Sequence, residues 1–129
     1  MQTFLEKTSF TELNSRGSRP IVLFGAGNIA TKTLRKIDSS RVAFIVDNSR
    51  NLQGTQFANL DIYEPAKIQK GALIVICSTA IPDISVQLES LGFTANKDFV
   101  ISPVLNDLLA IDELERLEQT LYFTSGTVP

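Results

Sequence analysis

The fold class of this 129-residue chain is decided by the stretch Ile21-Val22-Leu23-Phe24-Gly25-Ala26-Gly27-Asn28-Ile29-Ala30. Its first four residues form a continuous apolar run, which is typical of a strand buried on both faces of a parallel sheet. The next six spell G-x-G-x-x-A and lead into a segment with apolar residues at helical spacing. A strand, a glycine turn and a helix in this order predict an α/β unit.

The rest of the chain repeats this alternation. Further strands are predicted at 42–46, 72–77 and 99–101, with a weaker one at 60–62. Helices are predicted at 28–37 and from Pro82 to Gly92, with short ones at 8–16 and from Pro65 through Ile68. Strands that alternate with helices of about ten residues predict an α/β fold with a doubly wound, mainly parallel sheet in three layers.

Three regions are predicted along the chain. Residues 1–19 form a leading segment, 20–103 the α/β domain, and 104–129 a C-terminal helix followed by the start of a further domain. The apolar stripe of the tail helix, over 104–119, favours packing on the sheet, with dimerisation or docking to another domain as alternatives. Because Leu121-Tyr122-Phe123 is typical of another strand, we expect the chain to be the N-terminal domain of a longer protein.

Composition limits the partners of the chain. A formal net charge of −2 and a pI near 5.1 give no electrostatic attraction to nucleic acid or to an anionic membrane. The sequence offers no apolar run near the ~20 residues of a membrane span and no secretory signal pattern at its start. The lone Cys77 permits no internal disulfide. These features predict a cytoplasmic protein without nucleic-acid partners.

The glycine motif predicts a phosphate site. Gly25 lets the chain turn sharply, and Gly27 has no side chain to keep a pyrophosphate away from the backbone. Ala30 is small enough to let the helix pack closely on the strand. Free N–H groups at the helix start would face the phosphates, at the positive end of the helix dipole. The alternative is that the glycines only form a tight turn.

Asp47 is the second candidate binding residue. It ends the second strand, about twenty residues past the glycines, where such folds place an acid against the ribose hydroxyls. A carboxylate there accepts hydrogen bonds from a diol and repels a 2′-phosphate, which favours NAD over NADP. The alternative is that Asp47 only caps the turn at 47–50.

The chain resembles a known family in four segments: Phe24-Gly25-Ala26-Gly27-Asn28, Phe44-Ile45-Val46-Asp47-Asn48, Gly54, and Ile74-Val75-Ile76-Cys77-Ser78. Over residues 20–103 it is similar to the Rossmann-like (CoA-binding-type) domains of bacterial sugar-nucleotide and cell-surface polysaccharide proteins. Such modules precede the catalytic half of nucleotide-sugar dehydratases, or are attached to sugar acyltransferases and C-methyltransferases. The resemblance implies NAD or a nucleotide sugar as the ligand, with CoA as a further option.

The resemblance also implies where the ligand binds. It places the phosphate loop at Gly25, Gly27 and Asn28, the ribose at Asp47, and further contacts at Ser78 and Thr79. Together with the motif, it defines a candidate cofactor-binding set of Gly25, Ala26, Gly27, Asn28, Ile29, Asp47, Asn48, Ser78 and Thr79.

The sequence predicts no catalytic residue and no metal site. The chain has no histidine, which removes the usual general base and most zinc or iron ligand sets. Tyr63 and Lys67 have the Y-x-x-x-K spacing of short-chain dehydrogenases, but Pro65 lies between them and the segment follows only the third strand. Cys77 lies in an apolar strand and is expected to be a core residue. We therefore expect no turnover by this chain alone.

Three functions remain open at this point. The first is a nucleotide-binding accessory domain of a sugar-nucleotide or polysaccharide biosynthesis protein. The second is the N-terminal half of an NAD-dependent nucleotide-sugar dehydrogenase or dehydratase. The third is a scaffolding module with an empty pocket. The expected partners are a small-molecule nucleotide and either a second copy of the chain or a downstream catalytic domain.

Overall fold

The computed structural model describes residues 10–14 and 18–109. Within them, six strands form one sheet in the order β3-β4-β2-β1-β5-β6. All neighbouring strands are parallel except β3 and β4. The strands are β1 (Ile21–Phe24), β2 (Val42–Val46), β3 (Gln56–Phe57), β4 (Leu60–Tyr63), β5 (Leu73–Ile76) and β6 (Phe99–Ile101). The predicted α/β class and mainly parallel sheet are confirmed.

The helices agree closely with the sequence pattern. The described α-helices are α1 (Phe10–Asn14), α2 (Asn28–Lys36), α3 (Ile81–Ser90) and a segment at 103–109. Pro82 lies in the first turn of α3, where its missing N–H removes no helical hydrogen bond. The short helix predicted from Pro65 is a 3-10 turn, Pro65–Lys67. Of the predicted tail helix, residues 110–119 lie outside the described residues, as does Leu121-Tyr122-Phe123.

The hairpin of β3 and β4 is the main difference from the sequence-based prediction. Only the second of its strands was predicted, and as a weak one. The two residues that connect the strands, Ala58 and Asn59, both have positive φ angles, of 53° and 66°. Two such residues form the tight turn that matches the twist of a hairpin. The usual Asn-Gly or Asp-Gly signal is absent because Ala58 and Asn59 occupy the two turn positions, and β3 is only two residues long.

The strands divide their side chains between two hydrophobic clusters. Alternate residues of β1, β2, β5 and β6 pack with α3 in one cluster. The intervening residues pack with α1 and with Ala30 of α2 in the other. Both β1 and β5 are buried along their whole length, as continuous apolar runs predict. Ala30 is fully buried, so its small size allows α2 to lie close to the sheet.

Two arginines join the segments that precede the strands. The side chain of Arg19, just before β1, donates four hydrogen bonds of 2.6–3.0 Å, to the carbonyl oxygens of Gly71, Ala72 and Lys97 and to the Asp98 carboxylate. Arg41, just before β2, donates to the carbonyl oxygen of Arg19 at 2.8 Å. At the amino edge of the sheet, these two side chains therefore donate their hydrogen bonds to oxygens of the chain itself.

Candidate functional site

The candidate site is a crevice at the carboxyl ends of β1, β2 and β5. The chain leaves β1 toward β2 on one side, whereas β5 lies on the other side of β1. Such a change of direction separates the loops that follow the strands and opens a crevice between them. Two adjoining cavities occupy it, with volumes of about 310 and about 290 Å³. Both are lined in part by Gly25, Asp47 and Ser78.

The larger cavity, called here the glycine-loop cavity, is lined by Gly25, Ala26, Gly27, Asn28, Ile29, Asp47, Cys77, Ser78 and Thr79. Eight of the nine predicted binding residues are in this set. The ninth, Asn48, lines the smaller cavity. Residues from three separate loops are thus brought together, because parallel strands end at the same edge of the sheet.

The two glycines of the motif have different physical roles. Gly25 has a φ of 115°, and a Cβ added there would lie 2.8 Å from the carbonyl oxygen of Cys77. The fold itself therefore requires glycine at this position. Gly27 has an extended backbone with a φ of −165°, and a Cβ there would meet no atom within 4 Å. The packing of the described residues does not require a glycine at Gly27.

The first turn of α2 faces the crevice without a side-chain cap. Gly27 is the N-cap residue, and it has no side chain that could accept a hydrogen bond from the first turn. The first N–H groups of a helix have no intrahelical acceptor, so they need a side chain, water or a ligand. Asn28 and Ile29, which carry two of these groups, line the glycine-loop cavity. The arrangement offers hydrogen-bond donors and a partial positive charge to an anion.

Asp47 joins the glycine loop to the loop after β2. Its Oδ2 accepts from the N–H of Ala26 at 2.9 Å, and its Oδ1 accepts from the N–H of Ser49 at 2.8 Å. The amide of Gln53 also donates to the Asp47 carbonyl oxygen at 2.8 Å. The turn-capping role is therefore present. It does not displace the ribose role, because each carboxylate oxygen has further acceptor capacity and Asp47 lines both cavities.

Ser78 and Thr79 follow β5 on the far side of the crevice. The Ser78 Oγ accepts from the N–H of Ala80 at 3.1 Å, which shapes the turn into α3. A hydroxyl that accepts in this way still has its own hydrogen to donate. Thr79 is exposed and lines the glycine-loop cavity. Both residues therefore present hydroxyl groups, but no base, to the crevice.

The smaller cavity, called here the α3 cavity, contains residues that the sequence did not suggest. Besides Gly25, Asp47, Asn48 and Ser78, it is lined by Phe24, Ala80, Asp83, Ile84 and Gln87. The amides of Asn48 and Gln87 bond reciprocally, with both N–O distances at 2.9 Å. One signal was available: Asp83 and Gln87 are four residues apart on the helix that follows a crevice strand, and so share a face.

The structure shows where Cys77, Tyr63 and Lys67 lie relative to the crevice. Burial raises the pKa of the Cys77 thiol to about 12, against a smaller lowering by its hydrogen bond with Thr33, so the thiol is neutral at pH 7. Tyr63 packs edge-on against Phe44, and neither it nor Lys67 lines the two cavities. The described residues contain no cluster of metal-ligating side chains.

Comparison with known proteins does not identify the chain. No protein-family model matches it, and no curated protein matches it significantly. None of the helices in the described part is long and apolar enough to cross a membrane. Inference about function therefore depends on the geometry of the crevice and on the sequence motifs that form it.

Proposed function

We propose that this chain is a Rossmann-like nucleotide-binding domain that serves as an accessory module of a cytoplasmic sugar-nucleotide or polysaccharide biosynthesis protein. The proposal depends on one observation, the presence of glycine at position 27. Its backbone is extended and its missing Cβ would meet nothing, so neither strain nor packing explains the glycine. A ligand that approaches the backbone closely does explain it.

The surroundings of Gly27 support a phosphate as the group that approaches. The uncapped start of α2 supplies N–H donors and the positive end of the helix dipole. Gly25, with its positive φ and no room for a Cβ beside the Cys77 carbonyl oxygen, sets the direction in which the loop leaves β1. Among the described residues, no lysine or arginine lines either cavity, so the backbone would supply most of the interaction.

The fold supports a doubly wound sheet in three layers with a C-terminal helix. The strand order β4-β2-β1-β5-β6, with its change of direction at β1, is the order of a doubly wound sheet. Two hydrophobic clusters take alternate strand residues, which favours three layers. The helical segment at 103–109 is where the C-terminal helix was predicted to begin.

NAD or a nucleotide sugar is the proposed ligand, with CoA as the third option. All three combine a phosphate with a ribose, and Asp47 lines both cavities with acceptor capacity for a diol. NAD and a nucleotide sugar have a free ribose diol, whereas the ribose of CoA carries a 3′-phosphate, which places CoA third. The biosynthetic setting comes from the family resemblance of residues 20–103. An accessory role is favoured because the crevice has hydroxyls, amides and two carboxylates but no histidine, lysine or reactive thiol. The nucleotide would be presented to a downstream catalytic domain or to a second copy of the chain.

The direct test is calorimetry of Gly27→Val with NAD, UDP-glucose and CoA. The wild-type protein should bind at least one of them, and the valine should lower its affinity at least 100-fold by blocking the phosphate. Gly27→Ala is the graded control and should give an intermediate loss. Melting temperatures should stay within a few degrees, because both side chains enter open space. Unchanged affinity in Gly27→Val would show that the phosphate-loop assignment is wrong.

Absence of turnover is the second test of an accessory role. The purified domain should neither reduce NAD nor alter a panel of nucleotide sugars over hours. If steady turnover occurs and disappears in Tyr63→Phe or Lys67→Ala, the dehydrogenase hypothesis replaces the accessory one.

A further inference from the structure

The two cavities of the crevice adjoin, and their arrangement suggests which part of a ligand would lie in each. They share Gly25, Asp47 and Ser78, so a molecule whose phosphate lies at Gly27 could extend past Asp47 into the α3 cavity. The whole crevice has the size of an ordinary small-molecule site, which is ~300–1,000 Å³. The part of a nucleotide beyond its ribose is the base. The α3 cavity is therefore in the right place for a base.

The walls of the α3 cavity suit a flat, uncharged ring. Phe24 and Ile84, both buried in the core, and Ala80 supply its apolar surface. Its charged groups are the carboxylates of Asp47 and Asp83, with no cation among the lining residues. A second phosphate would be repelled there, whereas hydrogen-bond donors would be attracted.

Asp83 is the carboxylate in this cavity whose oxygens accept no hydrogen bond from the described residues. No hydrogen bond or ion pair involves its side chain within the described residues, unlike Asp47, whose two oxygens each accept an N–H. Asp83 also lies in the first turn of α3, where an acid stabilises the helix dipole. That role needs only the charge near the helix end. A role in binding requires an amino group to face the carboxylate, so the two roles can be separated by ligand choice.

The pair of Asn48 and Gln87 adds groups that can recognise the edge of a base. The two amides bridge the loop after β2 and helix α3, on opposite sides of the crevice. Each amide presents a donor beside an acceptor, the pattern that complements an adenine edge. A base that entered the cavity could replace one amide as the partner of the other, and the displaced amide would bond to water, because the pair is exposed.

An amide alone does not distinguish an amino base from a keto base, because it can rotate to exchange its donor and acceptor. A carboxylate has no such freedom at neutral pH. It accepts a hydrogen bond from an exocyclic amino group and repels a carbonyl oxygen. Of the two carboxylates that line this cavity, Asp47 is assigned to the ribose, so Asp83 is the one left to discriminate between the two classes of base.

We propose that the α3 cavity binds the base of the nucleotide and that Asp83, with the Asn48–Gln87 pair, selects a base with an exocyclic amino group. This proposal rests on the phosphate site at Gly27. It favours ligands that contain adenine or cytosine over those that contain hypoxanthine or uracil. Among the ligands proposed above, it favours NAD and CoA over a uridine-linked sugar.

Matched mononucleotides provide the test, since each pair differs at the amino or keto position of the base. Calorimetry on the wild-type protein compares AMP with IMP, and CMP with UMP. The amino member of each pair should bind at least tenfold more tightly. In Asp83→Asn the ratio should fall to threefold or less. Glu89→Gln removes a charge from an exposed position of the same helix that lines neither cavity, and should leave the ratio unchanged.

Two further variants separate this proposal from the phosphate site. Gln87→Leu should weaken AMP binding, because it removes one amide of the pair, while Gly27→Val should weaken all four nucleotides alike. If AMP and IMP bind equally to the wild-type protein and both are lost in Gly27→Val, the base proposal is wrong and the phosphate site stands. An unchanged ratio in Asp83→Asn also overturns it. If none of the four nucleotides binds although NAD does, the base proposal is wrong and the phosphate site stands. If NAD, UDP-glucose and CoA also fail to bind, both proposals fail.

Discussion

The two edges of the sheet differ in how their polar groups are satisfied. At the amino edge, Arg19 and Arg41 bond to backbone and side-chain oxygens of the chain itself. At the carboxyl edge, the start of α2 has no cap, and the carboxylate of Asp83 has no described partner. One edge is a closed network, and the other has donors and acceptors that remain available.

This difference separates structural residues from candidate binding residues. A charged group that lines neither cavity and whose hydrogen bonds all end on the chain contributes to stability, and its loss should not change ligand affinity. An available group beside a cavity contributes little to stability and can act on a ligand. Glycines follow the same logic: Gly25 is required by a close contact, whereas Gly27 is not. The predictions below test this division.

Gly25→Ala should have the largest effect on stability. The added Cβ would lie 2.8 Å from the Cys77 carbonyl oxygen on a backbone with positive φ, so β1 and β5 must separate locally. We expect a loss of about 2–4 kcal/mol in the free energy of unfolding, measured by urea denaturation. Gly27→Ala is the matched control and should lose less than about 1 kcal/mol. Equal losses in the two variants would contradict the distinction between the glycines.

Arg19→Met should destabilise the protein without affecting the crevice. It removes four hydrogen bonds, including the ion pair with Asp98 at 3.0 Å. Because 26% of the Arg19 side chain is exposed, water can replace part of this network. We expect a loss of about 1–3 kcal/mol in the free energy of unfolding. Nucleotide affinity, measured by calorimetry well below the melting temperature, should be unchanged. A large loss of affinity would mean that the two edges are coupled.

Asp47 should have a smaller effect, on selectivity. The wild-type protein should bind NAD about tenfold or more tightly than NADP, because the carboxylate would face the 2′-phosphate of NADP. Asp47→Asn removes the charge and keeps an oxygen for one of the two loop contacts, so its preference for NAD should largely disappear. Asp47→Ala should lose the preference and also some stability, because the N–H groups of Ala26 and Ser49 lose their acceptor. Equal affinities in the wild type would leave Asp47 as a turn residue only.

The ion pair of Lys36 and Asp107 should have the smallest effect. Its atoms are 2.7 Å apart, but the side chains are 51% and 64% exposed. Exposed pairs are screened by water and typically contribute ~0–1 kcal/mol. A double-mutant cycle of Lys36→Met and Asp107→Asn should therefore give a coupling of about 0.5 kcal/mol or less. A coupling as large as the effect of Arg19→Met would show that bond length matters more here than burial.

Local sequence patterns predicted most of the fold. The runs Ile21–Phe24 and Leu73–Ile76 are strands because continuous apolar residues can be buried only between two covering layers. The helix after Gly27 and the strand before Asp47 were also predicted within a residue or two. β3 was missed because a two-residue strand has no period to detect and the Ala58-Asn59 turn lacks glycine. These successes and the failure have the same cause, since only patterns that extend over several residues are visible in one sequence.

Only part of the candidate site could be predicted from the sequence. The glycine loop and Asp47 follow strands directly, so their place at the carboxyl edge could be predicted from the strands alone. Asp83 and Gln87 could not be assigned to the crevice, because a helix can present any of its faces to the sheet edge. The rotation of α3 is set by the burial of Ile84 and Leu88 in the core. That burial is a property of the assembled sheet.

The sequence by itself determined that this chain forms an α/β domain with a glycine turn between its first strand and the following helix. Periodicity and glycine placement are local, and they act through the backbone of adjacent residues. Only the tertiary structure decided that a Cβ at Gly25 would meet the Cys77 carbonyl oxygen, while a Cβ at Gly27 would meet open space. It also decided that Asn48 bonds to Gln87 across the crevice. These contacts join residues 39 or more positions apart, and their distances follow from how the strands align and the helices pack.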